Sequence, residues 1–180
     1  HLGMQDSVAF TGSASTGPML RGTRSIAEHN VRFNQEADSL NYSMLGPDAR
    51  PGTEEFDLFV KEVAKEMTVK AGQKCTAIRR TFVPANMVED VVQALSKRLA
   101  GVKVGDPGVE GVRMGPLAGK GQVKEVRRSL DALMKGTALA WGGPDALDVV
   151  GADPEKGAFF PITLLYDERP FERTQPRDVE

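Results

Sequence analysis

Apolar positions along this chain recur at two different intervals. Between Glu54 and Lys70, the residues Phe56, Phe59, Val60, Val63 and Met67 fall at the spacing of a single helical face. Val88, Val91, Val92, Leu95 and Leu99 repeat that spacing, as do Val123, Val126, Leu130 and Leu133 in a helix that resumes near Gln122. Between these stretches stand shorter runs: Val8-Ala9-Phe10, Asn30 to Asn34, Ile78 to Val83, Leu139 to Trp141 and Phe159 to Tyr166. They read as strands, the first of them buried. Pro161 makes the last an edge strand or a strand start, because it has no N–H for a ladder. Pro18 fits the first turn of a further helix, with Met19, Leu20 and Ile26 on its buried face.

Small residues and prolines separate these elements. Thr53 caps the helix that begins at Glu54, where Glu54 and Glu55 suit the positive end of the helix dipole, and Gly72 ends it. Asn86 is the expected cap of the next helix. Segments 45–53 and 101–121 are rich in glycine and proline and read as loops, the second an ordered one. Strands alternating with helices predict an α/β layered architecture with a mostly parallel sheet.

Composition narrows the class. The chain has 180 residues, 40% hydrophobic and 27% charged, which suits a globular fold and argues against wholesale disorder. Its formal charge of −2 predicts no attraction to nucleic acid or to an anionic membrane. The basic pairs Arg79-Arg80 and Arg127-Arg128 read as solvated faces or local anion contacts. One cysteine cannot form an internal disulfide, so the expected compartment is a reducing one, most simply the cytoplasm. No apolar run approaches the length of a membrane span, and no signal peptide is visible. The chain starts at His1 rather than Met and ends at Glu180 without a terminating pattern, so a segment of a larger protein is expected.

The lone Cys75 carries the candidate chemistry. It stands in Ala71-Gly72-Gln73-Lys74-Cys75-Thr76-Ala77, after a glycine and beside a cation. Thiolate, not thiol, is the nucleophile, and Lys74 together with oriented backbone N–H groups favours that form. The same N–H groups can stabilise an oxyanion on a carbonyl. The competing reading is an inert buried cysteine. Glu36 is the candidate base: its neighbours Val31, Phe33, Ala37 and Leu40 predict partial burial, against the commoner solvated surface glutamate. The turn Gly12-Ser13-Ala14-Ser15-Thr16-Gly17 lies between a strand and a helix and can face an anion with backbone N–H groups. It lacks both the GxGxxG spacing and a P-loop lysine, so on pattern alone a plain turn explains it. His29 reads as exposed near a helix end, Trp141 and the phenylalanines as core, and no metal-ligand cluster is expected.

Taken in order, four segments resemble the aldehyde dehydrogenase superfamily. Phe10-Thr11-Gly12-Ser13 with Gly17 is similar to its coenzyme turn, Glu36 falls where the family keeps a general base, and Gly72-Gln73-Lys74-Cys75 resembles its nucleophile motif. Val104-Gly105-Asp106-Pro107 with Gly115-Pro116-Leu117 resembles its GDP…GPL loop, and Phe160 to Leu165 a further family strand. The usual Leu-Gly-Gly after the glutamate is replaced by Ala37-Asp38-Ser39. With Ala71 to Arg80, that string is similar to a narrower branch acting on CoA-linked semialdehydes formed after ring opening in bacterial aromatic degradation.

The resemblance implies an aldehyde dehydrogenase-like α/β fold, with 1–38 the end of an NAD(P)-binding domain and 39–180 the first part of a catalytic domain. It implies an oxidoreductase in which Cys75 attacks the aldehyde and Glu36 activates the hydrolytic water. NAD or NADP would lie by Thr11, Gly12, Ser13 and Gly17, with Glu180 at the cofactor ribose. A CoA-linked aldehyde substrate, a homo-oligomeric parent protein and an inactive isolated segment complete the expectation. Two alternatives stand beside it: an acylating enzyme that passes the thioester to free coenzyme A, and a non-catalytic assembly module.

Overall fold

The fold comes from a computed structural model that describes residues 2–170. Its contacts divide the chain into two compact units, His1–Ser39 and the part from Leu40 onward. The first unit runs β1 (Ser7–Gly12), α1 (Thr16–Arg21), α2 (Arg24–Ala27) and β2 (Arg32–Ala37). β1 and β2 pair in parallel, from Ser7 opposite Arg32 to Gly12 opposite Ala37. A parallel pair needs a crossover, and the two short helices supply it. Ile26 and Val31 are buried here. β1 is half-exposed rather than buried, and Met19 is 65% exposed rather than inward. Two strands and two short helices have too few layers to enclose both faces. Ile26 also falls in α2, not in the helix that holds Pro18.

The second unit opens with another parallel pair, β3 (Tyr42–Met44) and β4 (Arg80–Phe82), joined through α3 (Glu54–Thr68). The Thr53 hydroxyl accepts the Phe56 N–H at 3.3 Å, and Glu54, Glu55 and Asp57 occupy the first turn. Phe56, Phe59, Val60 and Val63 pack in one core with Val91, Leu95 and Leu99 of α4 (Val88–Leu99). Leu95 and Leu99 are the most enclosed large side chains, at 1% and 0% exposure. Asn86 does not cap α4: it lies inside a 3-10 turn, Ala85–Met87, that leads directly into the helix.

Segment 101–121 is ordered, as expected, and also holds strands. It contains β5 (Lys103–Gly105) and β6 (Val112–Met114), which join β8 (Val149–Val150) in a parallel sheet of order β6-β5-β8. α5 (Lys120–Met134) follows, and β7 (Ala138–Gly142) then pairs antiparallel with β9 (Thr163–Tyr166). Pro161 sits just before β9, as its missing N–H requires. Parallel pairing joins the described strands except β7 and β9. A second apolar cluster, Leu117, Leu130 and Phe160, lies beneath α5, with the Arg127 guanidinium 5.6 Å from the Phe160 ring centre.

Close backbone approach fixes one glycine. A Cβ on Gly105 would stand 2.1 Å from the Val150 carbonyl oxygen, an atom that cannot swing aside. Gly105→Ala is therefore expected to destabilise the protein about as much as truncating a core leucine, roughly 2–5 kcal/mol. Urea denaturation of Gly105→Ala and Leu95→Ala checks this; a loss below about 0.5 kcal/mol for Gly105→Ala contradicts it.

Candidate active site

The chain leaves α3 in an unusual conformation. After Thr68, whose buried hydroxyl donates to Ala64 O at 2.9 Å, Lys70 and Ala71 adopt left-handed backbone at φ 54° and 53°. Gly72 follows at φ 72°. Glycine takes such angles freely, whereas each non-glycine residue there costs on the order of 1 kcal/mol. Contacts from elsewhere must hold the turn, and side chains supply them. The Gln73 amide donates to Lys70 O at 2.9 Å and accepts the Ala118 N–H at 2.8 Å. The Arg79 guanidinium donates to Gly72 O at 2.7 Å and to Lys74 O at 3.1 Å. The Asn41 amide nitrogen donates to Cys75 O at 2.5 Å and to Ala77 O at 3.2 Å.

Cys75 is exposed on this loop rather than buried. Lys74 departs from expectation. It turns inward, and its ammonium pairs with Glu66 at 2.5 Å with side-chain exposures of 23% and 14%. That cation is committed to a carboxylate rather than held beside the thiol. Arg79 is exposed, and its fork is engaged by the loop carbonyls. Two buried atoms, Glu66 Oε2 and Arg80 Nη2, have no hydrogen-bond partner among the described residues.

The first unit holds the remaining candidates. Glu36 lies near the end of β2, directly opposite Thr11 in the β1–β2 register. It is exposed rather than partly buried. β2 alternates, and its inward positions fall to Phe33, Gln35 and Ala37. Thr11, Gly12 and Ser13 are exposed at the end of β1 and in the turn that follows. Gly17 is buried, with the Gln35 side chain where its Cβ would be.

The turn is partly self-satisfied. Thr16 N–H and Gly17 N–H donate to Ser13 O at 3.1 and 3.2 Å, and Ala14 N–H donates to Asp38 Oδ1 at 2.9 Å. The exposed hydroxyls of Ser13 and Ser15, 3.1 Å apart, remain at its surface. Asp38 itself has φ 56°. It stands at the first glycine of the Leu-Gly-Gly pattern, and aspartate is among the few side chains that tolerate that backbone. Glu180 lies outside the described residues, so the structure does not place it.

Sequence reading missed Asn41 and the grip of Arg79. A polar residue inside the run Leu40-Asn41-Tyr42 was the available signal for Asn41. Its partners are separated from it by 34 and 36 residues, beyond the reach of local pattern.

The chain belongs to the aldehyde dehydrogenase family, whose model matches residues 4–176. Among curated proteins it is 46% identical, over its whole length, to 3,4-dehydroadipyl-CoA semialdehyde dehydrogenase of Aromatoleum evansii. It spans about a third of the length of that relative, 35%. Among solved structures, an NAD+ complex of an aldehyde dehydrogenase from Bacillus cereus aligns at TM-score 0.73 and 30% identity, covering 89% of this chain and 30% of that one. An aldehyde dehydrogenase C variant from Pseudomonas syringae, complexed with NAD+ and octanal, aligns at TM-score 0.73 and 26% identity, over 89% of this chain and 31% of that one.

The Lys74–Glu66 pair is open to direct test. Glu66→Ala leaves a largely enclosed ammonium without its partner and is expected to destabilise by about 1–3 kcal/mol. Adding Lys74→Met should recover most of that loss. A double-mutant cycle by urea denaturation measures the coupling, and additive losses would refute the pairing.

Proposed function

We propose that this chain carries the nucleophile and the base of an NAD(P)-dependent dehydrogenase that oxidises a CoA-linked semialdehyde to its carboxylic acid. The observation that carries the reading is the exposed Cys75 at the crest of a loop braced through its backbone carbonyls. The 46% identity to a CoA-semialdehyde dehydrogenase supports the substrate class, and its aromatic-degradation setting follows the resemblance of the strings around Glu36 and Cys75. Residues 1–38 then belong to the coenzyme-binding domain and 39–180 to the catalytic domain.

In this reading the Cys75 thiolate adds to the aldehyde carbon, and the carbonyl electron pair moves onto oxygen as a thiohemiacetal oxyanion. The Cys75 N–H has no acceptor among the described residues, which suits it to that oxygen. NAD+ or NADP+, when bound, supplies the acceptor for the hydride that leaves the carbon. A thioester to Cys75 results. Glu36 takes a proton from water, hydroxide adds to the thioester, and the acid departs with release of the thiolate. Exposure leaves the Glu36 carboxylate open to that water.

The site residues fit a dinucleotide. The exposed Thr11, Ser13 and Ser15 hydroxyls stand at the C-terminal end of a parallel strand, where such sheets bind ligands, with the Ser13 hydrogen given to Thr16 Oγ1 at 2.9 Å. Gly12 and Gly17 keep the turn tight, and the β1–β2 register sets Glu36 beside it. Glu180 is proposed at the cofactor ribose from the resemblance alone. A reduced thiol suits the cytoplasm. The isolated chain, about a third of its relative, is proposed to be inactive, and the complete protein to be a homo-oligomer.

In the complete protein, Cys75→Ala is expected to abolish aldehyde-dependent NAD(P)H formation. Glu36→Gln should leave a stoichiometric burst of NAD(P)H and slow steady turnover by about 10²–10⁴-fold. Stopped-flow absorbance and product analysis check both. Turnover retained in Cys75→Ala overturns the reading, and a new CoA thioester in place of free acid points to the acylating alternative.

A further inference from the structure

We propose that Asn41 and Arg79 are positioning residues. They fix the two peptide planes on either side of Cys75, so that the Cys75 and Thr76 N–H groups are both aimed at the oxygen of the bound carbonyl group. The proposal rests on the role of Cys75 given above and adds the means by which its loop is aimed.

A trans peptide places its C=O and N–H on opposite sides of one rigid plane. Whatever grips the oxygen therefore directs the hydrogen. Arg79 Nη2 holds Lys74 O at 3.1 Å, and the N–H across that plane belongs to Cys75. The Ala77 N–H adds a second bond to the same oxygen at 3.0 Å. Asn41 Nδ2 holds Cys75 O at 2.5 Å, and the N–H across that plane belongs to Thr76. Neither N–H has an acceptor among the described residues, and both residues are exposed. Two adjacent donors pointing away from the fold, beside a nucleophile, are the arrangement that an oxyanion needs.

The brackets are themselves braced. Asn41 O accepts the Arg79 N–H at 2.9 Å and the Arg80 N–H at 3.4 Å, just before Tyr42 and Arg80 pair in the β3–β4 ladder. Asn41 thus grips the loop with its side chain and the start of β4 with its backbone. One amide nitrogen serves two carbonyls, Cys75 O and Ala77 O, and uses both its hydrogens. Aspartate has the same shape but no donor at neutral pH. Arg79 spans Gly72 O and Lys74 O with a planar fork. Lysine can satisfy one of these as a point donor but not both in that geometry.

The experiment compares two reactions of the same sulfur in the complete protein. p-Nitrophenyl acetate acylates the thiol through a carbonyl addition that builds an oxyanion, and p-nitrophenolate leaves. Iodoacetamide alkylates it at a saturated carbon, with loss of iodide and no oxyanion. Asn41→Asp is expected to slow acylation about 10–100-fold while alkylation stays within about threefold. Arg79→Ala should lower the same ratio, and Arg79→Lys should partly restore it. Arg79 is exposed, so its variants report even if Asn41→Asp fails to fold. Equal losses in both reactions, or an unchanged acylation rate, overturn the proposal. Ester cleavage that persists in Cys75→Ala instead removes the underlying reading of Cys75, so the two failures are distinguishable.

Discussion

Past the short 3-10 turn Val69–Gly72, the segment up to Arg80 has no regular ladder of its own, and its inward oxygens need donors. That constraint organises the second unit. Helix α3 has ended, strand β4 has not begun, and two non-glycine residues stand in left-handed backbone. Three side chains supply donors beside the backbone N–H groups: Gln73 within the loop, Arg79 at its end, and Asn41 from the neighbouring strand edge. The segment is therefore over-determined rather than floppy, as a strained conformation must be if it is to persist. The exposure of Cys75 follows, because the carbonyls are drawn inward and the side chain is left at the crest.

The same bonds join motifs that are far apart in sequence. Gln73 accepts the N–H of Ala118, the residue that follows Gly115-Pro116-Leu117. Leu117 in turn donates its N–H to Ala158 O at 2.9 Å and is buried with Leu130 and Phe160. The GQKC and GPL strings are thus two sides of one hydrogen bond, and the second is anchored in its own apolar cluster. In the first unit, the β1–β2 register performs a similar service. It sets Thr11 of the turn opposite Glu36, and Asp38 then ties Ala14 into place.

Much of this was legible in the order of residues, though unevenly. The helices α3, α4 and α5 follow apolar spacing, and Thr53 caps as its chemistry dictates. β3, β5, β6 and β8 were not foreseen: each is two or three residues long and pairs in parallel with a distant strand. Such a strand has no periodicity to read. Asn86 looked like a cap because it precedes an apolar stripe, but a 3-10 turn winds the chain before the helix begins. Glu36 looked partly buried from its neighbours, yet strand alternation turns Phe33 and Ala37 inward and leaves it out, and Leu40 is itself exposed. Lys74 is next to Cys75 in sequence, and adjacency there does not decide which way a side chain turns; a carboxylate eight residues back does.

The brace has a consequence for the birth of the protein. Cys75 depends on partners that precede it by 34 residues, through Asn41, and on Ala118, which lies 45 residues beyond Gln73. While the chain is still being synthesised, and until that later stretch has emerged and docked, the loop lacks its bond to Ala118. The loop that carries Cys75 is therefore closed from both sides of the sequence, and neither flank alone completes it.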